Sequence, residues 1–152
     1  MNIRPFDPVD LPQLLHIYSA SKLDELKNES AAFELLPLDQ DPKRLEQLME
    51  SDIYIYQQQK VNGPEIMAYG AVYKSEIRAL FVQPESRGQG IGKTLLEYLL
   101  LKASGEASLY VAKSNHNAKT LYGAYGFVVT EEFETQYNGV AVVANKMVRA
   151  VY

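Results

Sequence analysis

Three glycines on alternate positions, flanked by two cations, form the segment of this chain most suited to chemistry. Gly88, Gly90 and Gly92 lie between Arg87 and Lys93, directly ahead of an apolar segment with helix-forming residues. Glycine lets the backbone approach a ligand closely, and the free amides of a helix N-terminus attract anions. We therefore predict a phosphate or pyrophosphate site with these contacts: Arg87, Gly88, Gln89, Gly90, Ile91, Gly92, Lys93 and Thr94.

Two familiar phosphate loops do not fit this segment. A P-loop needs a glycine five residues before Gly92, where Arg87 stands. A dinucleotide fingerprint that starts at Gly88 needs its third glycine at Lys93, and one that starts at Gly90 needs it at Leu95. Nucleoside triphosphate and dinucleotide chemistry are therefore not indicated.

A second group of residues follows about twenty positions downstream. Asn115, Ala118 and Tyr122 are spaced i, i+3 and i+7, which places them on one face of a helix. The small Ala118 keeps that face low enough for a chain-like ligand to lie across it.

Together these segments resemble the GNAT superfamily of N-acetyltransferases. Arg87, Gly90 and Gly92 match its acetyl-coenzyme A pyrophosphate loop, R-x-x-G-x-G, and residues 115–127 match its second signature, N-x-x-A-x-x-L-Y-x-x-x-G-F. The resemblance is good over residues 64–128 and weak over the first sixty. It implies a sequential transfer of acetyl from acetyl-coenzyme A to an amine, without a covalent intermediate on the protein.

The resemblance also implies roles for individual residues. Asn115 would hydrogen-bond the pantetheine arm, and backbone groups of Phe81 and Val82 would pair with it as an added strand. Tyr122 would be the general acid that protonates the departing thiolate, since a phenol with an ordinary pKa of about 10 suits that task. Glu76, at the start of the strand that leads into the loop, is the first candidate for the base. The reserve candidates are Tyr73, Glu132, Glu134 and Tyr137.

Hydrophobic patterning places these residues in an α/β fold of GNAT type, with a mixed central sheet of about seven strands flanked by about four helices. Ile77 to Val82 is typical of a strand, and a helix from Ile91 to about Ala103 follows it. The strand Leu109 to Ala112 is reached only through that helix, so the two strands should be parallel. The remaining predicted strands are 2–5, 53–59, 65–73, 127–135 and 140–148, with hairpin turns at Asn62-Gly63 and around Asn138-Gly139. The remaining helices begin at 7 or 10, at 41 or 42, and at 114 or 115.

Composition limits the partners. The chain has 152 residues, 47% of them hydrophobic, and no apparent linker, so we predict one domain over residues 1–152. It has no cysteine, and its two histidines are far apart, so no metal site is predicted. A net charge of −4 argues against nucleic acid, and the lack of a long apolar run argues against a membrane. We expect a cytoplasmic monomer or homodimer.

The acceptor is less constrained. Between Lys22 and Asp41 the chain has six acids and two bases, which is either a solvated surface or a feature that attracts a cationic amine. We expect a primary amine, either a small cationic one or a lysine or N-terminal amine of a peptide. The alternative is a module that binds or senses acyl-coenzyme A without catalysis.

Overall fold

The structure, a computed structural model, describes residues 2–150. The predicted domain of 1–152 therefore includes three terminal residues that lie outside the described part of the chain. The strands are β1 (Ile3–Pro5), β2 (Asp52–Lys60), β3 (Gly63–Tyr73), β4 (Glu76–Val82), β5 (Ala107–Ala112), β6 (Val128–Tyr137) and β7 (Val140–Arg149). The helices are α1 (Leu11–Glu25), α2 (Pro42–Met49), α3 (Ile91–Lys102) and α4 (His116–Ala124).

The seven strands form one mixed sheet in the order β1-β2-β3-β4-β5-β7-β6. Neighbouring strands are antiparallel except β4 and β5, which are parallel and joined through α3. This confirms the predicted mixed sheet of seven strands with four helices. It also puts a parallel pair next to the start of α3, where the glycine segment lies.

The helices cover both faces of the sheet. On one face, Leu14 and Ile17 of α1 pack with Leu48 of α2 and with Ile55 and Tyr69 of the sheet. On the other face, the α3 and α4 side chains form a second core with residues of β3, β4 and β5: Leu96, Leu99, Tyr122, Val72, Ile77 and Leu109. We call these the α1 side and the α3 side of the sheet.

A glycine in the middle of β3 lets α3 approach the sheet closely. A Cβ at Gly70 would lie 2.7 Å from Cδ1 of Leu99, which is itself fully buried. A side chain at this position would therefore push α3 away from the sheet and shift the glycine segment at its start.

The parallel strands β4 and β5 separate almost at once. Their only paired residues are Glu76 and Ser108, at the beginning of both strands. β4 also has an irregularity in its pairing with β3, which passes from Ala79 to Ile77 and leaves Arg78 without a partner. Beyond this point the two strands diverge and leave a gap that opens toward their carboxyl ends.

The hairpin turns differ slightly from their predictions. The turn between β2 and β3 occupies Val61 and Asn62, one residue earlier than predicted, because Gly63 with a φ of 109° already belongs to β3. The turn between β6 and β7 falls on Asn138 and Gly139, as predicted, and both have positive φ. Within residues 2–150, none of the helices is long and apolar enough to cross a membrane. The cytoplasmic location stays a prediction.

Candidate functional site

A cleft of about 550 Å³ lies in the gap between β4 and β5, and residues from both sides of the sheet line it. This volume is in the range of small-molecule sites. On the α3 side it reaches the glycine segment and α4, and on the α1 side it reaches the end of α1, α2 and the β6–β7 hairpin. The cleft therefore connects the two predicted motifs with a region that no motif predicted.

The glycine segment forms a tight loop ahead of α3. Gly88 and Gly90 have φ values of 79° and 78°, which are left-handed conformations that favour glycine. Gly90 is also the N-cap residue of α3, and no side chain caps this helix end. The first amides of α3 are thus free to donate hydrogen bonds to an anion in the cleft.

Gly92 has a different role, because it lies within α3. A Cβ at Gly92 would make ordinary contacts, 3.7 Å from Cγ2 of Val82 and 4.0 Å from Cδ2 of Leu121. Neither the backbone nor the protein packing requires a glycine there. Its lack of a side chain matters only if a ligand lies against the helix.

Most predicted loop contacts line the cleft, and two do not. Arg87, Gly88, Gly90, Ile91, Gly92 and Lys93 line it. Gln89 is exposed outside it, and the Thr94 hydroxyl donates to the carbonyl of Gly90 at 3.0 Å within the first helical turn. The structure therefore does not bring the Gln89 and Thr94 side chains to the cleft.

The predicted wall for a chain-like ligand is assembled. Phe81 and Val82 line the cleft on the β4 edge that no longer pairs with β5. The Val82 carbonyl accepts from the Ser21 hydroxyl at 3.3 Å and keeps a second lone pair, so a strand-like ligand can still pair along this edge. Asn115 and Ala118 line it from the opposite wall. The Asn115 side-chain oxygen caps α4 by accepting from the amide of Ala118 at 3.3 Å, which leaves its amide nitrogen for a ligand.

Tyr122 lies at the bottom of the cleft with 9% of its surface exposed. Its ring packs edge-to-face on Phe127, with the ring centroids 5.8 Å apart. No hydrogen bond joins its hydroxyl to a protein group in the described part of the chain. Burial raises the pKa of Tyr122 well above its usual value, and the nearby Glu25 carboxylate raises it further. The phenol is therefore held in its neutral, proton-donating form.

Glu76, the first candidate for the base, does not line the cleft. It lies at the start of β4, and its carboxylate accepts from Nε of Arg78 at 3.3 Å. Six steps of extended strand, about 20 Å, separate it from Val82 at the open end of the gap. Among the reserve candidates, Tyr137 lines the cleft, whereas Tyr73, Glu132 and Glu134 do not.

The acidic excess of residues 22–41 does not make the cleft acidic. Of the six acids, only Asp24 and Glu25 line it. Both pair with cations, Asp24 with Arg87 at 2.6 Å and Glu25 with Lys22 at 3.0 Å. Six basic side chains line the same cleft: Lys22, Lys27, Arg44, Arg78, Arg87 and Lys93.

Sequence reasoning missed the group of side chains on the α1 side. Nζ of Lys22 and Cζ of Arg44 lie 5.1 and 5.3 Å from the centre of the Tyr137 ring. These residues come from α1, α2 and the end of β6, so no spacing in the sequence relates them. The sequence predicts Tyr137 only as a reserve candidate for the base, with no link to Lys22 or Arg44. We call Lys22, Glu25, Arg44 and Tyr137 the α1-side cluster.

The Asp24–Arg87 ion pair joins the two sides of the cleft. It connects the end of α1 to the glycine loop, and Lys27 adds a second cation 3.7 Å from the Asp24 carboxylate. Both Asp24 and Arg87 side chains are substantially exposed, at 39% and 43%. Arg87 is therefore held by a carboxylate at the position where we predicted a phosphate. Within residues 2–150, no group of three or more His, Cys, Asp or Glu side chains is arranged to hold a metal ion.

Comparison with known proteins agrees with this architecture. A GCN5-related N-acetyltransferase structure from Rhodopseudomonas palustris superposes with a TM-score of 0.80 and 18% identity, covering 98% of this chain and 94% of that one. The structure of yncA, a putative acetyltransferase from Salmonella typhimurium with its cofactor acetyl-CoA, gives a TM-score of 0.70 and 19% identity over 100% of this chain and 94% of the other. At these identities the likeness establishes the fold.

Sequence relatives match a shorter part of the chain. The peptidyl-lysine N-acetyltransferase YjaB of Salmonella typhimurium is 45% identical over 56 residues, which are 37% of this chain and 38% of that protein. The match thus spans well under half the length of this relative. The family model of the acetyltransferase (GNAT) domain matches residues 26–149, which include β2 to β7, α2 to α4 and both predicted motifs. The chain therefore belongs to the GNAT acetyltransferase domain family.

Proposed function

We propose that this chain is an N-acetyltransferase that moves an acetyl group from acetyl-CoA to a primary amine, with residues 1–152 acting as one domain. The main support for the proposal is the lining of the cleft at its two ends. The cleft runs from an uncapped helix N-terminus behind left-handed glycines to a buried tyrosine whose hydroxyl has no hydrogen-bond partner among residues 2–150. A phosphate-bearing ligand fits one end, and a group that needs a proton fits the other.

The α3 side has groups suited to both the pyrophosphate and the pantetheine arm of coenzyme A. The amides of residues 91–93 and the cations Arg87 and Lys93 would hold the pyrophosphate. The unpaired β4 edge at Phe81 and Val82 would hydrogen-bond the pantetheine arm, and Asn115 would contact it from α4. Bound acetyl-CoA supplies the acetyl group as a thioester.

Residues of the chain would then donate and accept the protons that direct transfer requires. The amine nitrogen of the acceptor attacks the thioester carbonyl carbon, so a C–N bond forms and the C–S bond breaks, with its electron pair leaving on sulfur. The Tyr122 hydroxyl gives its proton to that sulfur. The attacking nitrogen loses one proton as the amide forms, and this proton passes through solvent to restore the Tyr122 hydroxyl. The acceptor must first lose its ammonium proton, to water or to a carboxylate of the cleft. Glu76 is not placed for direct proton transfer there, so its role as base stays a prediction.

The proposal is tested by incubating the protein with acetyl-CoA and a panel of primary amines, while free thiol and N-acetylated product are measured together. We expect thiol and product in equal amounts, with both depending on the amine. Binding of acetyl-CoA without amine-dependent thiol release, across a panel that includes amino acids, polyamines and peptides, would support a module that binds or senses the cofactor instead.

A further inference from the structure

We infer that the acceptor amine carries an acidic group, and that Arg44 and Lys22 bind this group while Glu25 faces the reacting nitrogen. The inference rests on the proposed function and names its substrate class: small amines that bear a carboxylate, such as free amino acids. It follows from the α1-side cluster, which none of the sequence motifs predicted.

Arg44 is oriented so that its two terminal nitrogens are free. Its Nε pairs with Asp41 at 3.0 Å, and Asp41 is one helical turn away at the start of α2. Among residues 2–150, no protein acceptor takes a hydrogen bond from the two terminal nitrogens. A guanidinium held by Nε presents a planar fork, which is the donor arrangement that binds a carboxylate with two parallel hydrogen bonds.

Tyr137 is a fixed ring that both cations contact. It is 2% exposed, and its hydroxyl is fixed by the backbone of Leu36, accepting from the amide at 2.8 Å and donating to the carbonyl at 3.3 Å. Lys22 and Arg44 both lie within 5.3 Å of the centre of this ring. Two cations within reach of one fixed ring make this part of the cleft more favourable for an anion than for a further cationic group.

Glu25 connects this cluster to the reacting end of the cleft. Its carboxylate pairs with Lys22 at 3.0 Å and is close enough to Tyr122 to raise the pKa of that phenol. Asp24, the other acid that lines the cleft, has two cationic partners, Arg87 and Lys27, and lies at the glycine loop. Glu25 instead pairs with Lys22 within the cluster. Glu25 is therefore the carboxylate best placed to face an ammonium group next to Tyr122.

A buried polar group beside the cluster has no partner. Tyr18 is 4% exposed, its hydroxyl oxygen is buried without a hydrogen bond in the described part of the chain, and Nζ of Lys22 lies 5.9 Å from its ring centre. Burial raises the pKa of the Tyr18 hydroxyl, and the charges of Arg44 and Glu25 are near enough to influence that pKa. Buried polar groups are nearly always hydrogen-bonded, so an orphan beside the cluster is consistent with a polar ligand group nearby.

The direct test compares each amino acid with its amide, because the amide keeps the shape of the acid and lacks its negative charge. The native protein is expected to have a kcat/KM at least tenfold higher for the acid than for the amide. Arg44→Gln should reduce this acid-to-amide ratio at least tenfold, chiefly through KM for the acid. Arg44→Lys keeps the charge but loses the fork, so its ratio should fall between the two. Lys43→Gln removes one charge from the exposed face of α2, outside the cleft, and should leave the ratio unchanged.

Binding gives a second readout that does not need turnover. An amino acid should raise the Tm of the protein loaded with coenzyme A, its amide should raise it less, and Arg44→Gln should abolish the difference. Equal kinetics or equal Tm shifts for acid and amide would overturn the inference, as would a preference for a peptide amine over every free amino acid. If no amine is acetylated, the proposed function fails, and the Tm comparison still decides whether the cluster binds an acidic amine.

Discussion

The α3 side of the cleft would hold its ligand with backbone amides, whereas the α1 side presents side chains from distant parts of the chain. On the α3 side, left-handed Gly88 and Gly90 lead into an uncapped helix, and any anion of suitable shape can use those amides. On the α1 side, Lys22, Arg44 and Tyr137 define the surface through charge and position. A backbone site suits a ligand that never changes, and a side-chain site suits an acceptor that differs between relatives.

This difference predicts that substitutions on the α3 side change the affinity for acetyl-CoA, whereas substitutions on the α1 side change the kinetics of the acceptor amine. The largest effect is expected at Tyr122, at the reacting end of the cleft. Tyr122→Phe removes one hydroxyl and almost no volume, so folding and cofactor affinity should be kept. A general acid contributes about 10²- to 10⁴-fold in rate, so kcat and kcat/KM should fall together by that order. Steady-state kinetics with a saturating amine measures the loss.

Tyr125→Phe is the matched control for that substitution. Tyr125 is the C-cap residue of α4, its hydroxyl donates to Glu97 at 2.6 Å, and it does not line the cleft. Its loss should leave kcat within about twofold, because a surface hydrogen bond contributes little. Equal effects of the two substitutions would show that the Tyr122 hydroxyl is not the proton donor.

The pH dependence of kcat should not show ionisation of Tyr122 in the usual range for tyrosine. Burial raises the pKa of Tyr122, so the neutral phenol persists to higher pH than a free tyrosine would allow. We therefore expect no loss of kcat from this group up to about pH 10. A fall in kcat near pH 9 that disappears in Tyr122→Phe would contradict this expectation.

The next largest effect concerns the backbone of the loop. Gly90→Val puts a β-branched side chain at a φ of 78°, on the helix N-cap where the pyrophosphate is expected. Affinity for acetyl-CoA should fall at least about 100-fold, or about 2.7 kcal/mol. Isothermal titration calorimetry measures this affinity directly.

Gly105→Val separates backbone strain from loss of the ligand site. Gly105 has a φ of 72°, and, as at Gly90, a Cβ there would have no protein atom within 4 Å. It lies outside the cleft. Both variants should lose similar stability, but only Gly90→Val should lose affinity. A cofactor affinity within twofold of native in Gly90→Val would remove the loop from the cofactor site.

The smallest effect is expected at the contact between the two sides. Asp24→Asn releases Arg87 from an exposed ion pair, so the guanidinium becomes available to the cofactor phosphates. Exposed ion pairs contribute about 0.2–1 kcal/mol, which corresponds to a gain in acetyl-CoA affinity of about 1.5- to 5-fold. The gain should shrink as salt is added, because salt screens exposed charges. Weaker binding in Asp24→Asn would show that the ion pair supports the loop instead of competing with the cofactor.

Sequence reasoning predicted the α3 side well because its features are local. The strand that ends before Pro84, the alternating glycines and the face of Asn115, Ala118 and Tyr122 are each contained in one short segment, where spacing has a direct geometric meaning. The parallel pairing of β4 and β5 followed from the crossover helix in the same way.

The α1 side could not be predicted from the sequence because its residues meet only in the folded chain. An irregular segment separates Lys22 from Arg44, and most of the sheet and two helices separate Arg44 from Tyr137. The acidic excess of residues 22–41 pointed instead to a cationic ligand. In the structure, four of those six acids lie away from the cleft. Glu76 was chosen by its position before the loop, but the length of an extended strand separates it from the open end of the gap.

A crystal structure of the protein with coenzyme A tests the central claim most directly. We predict the pyrophosphate on the amides of the loop and α3 N-terminus, the pantetheine arm along Phe81 and Val82, and the sulfur within hydrogen-bonding distance of the Tyr122 hydroxyl. The sulfur should face Glu25, with Lys22 and Arg44 beyond it on the α1 side. A coenzyme A molecule bound outside the gap between β4 and β5, or one with its sulfur directed away from Tyr122, would contradict the account.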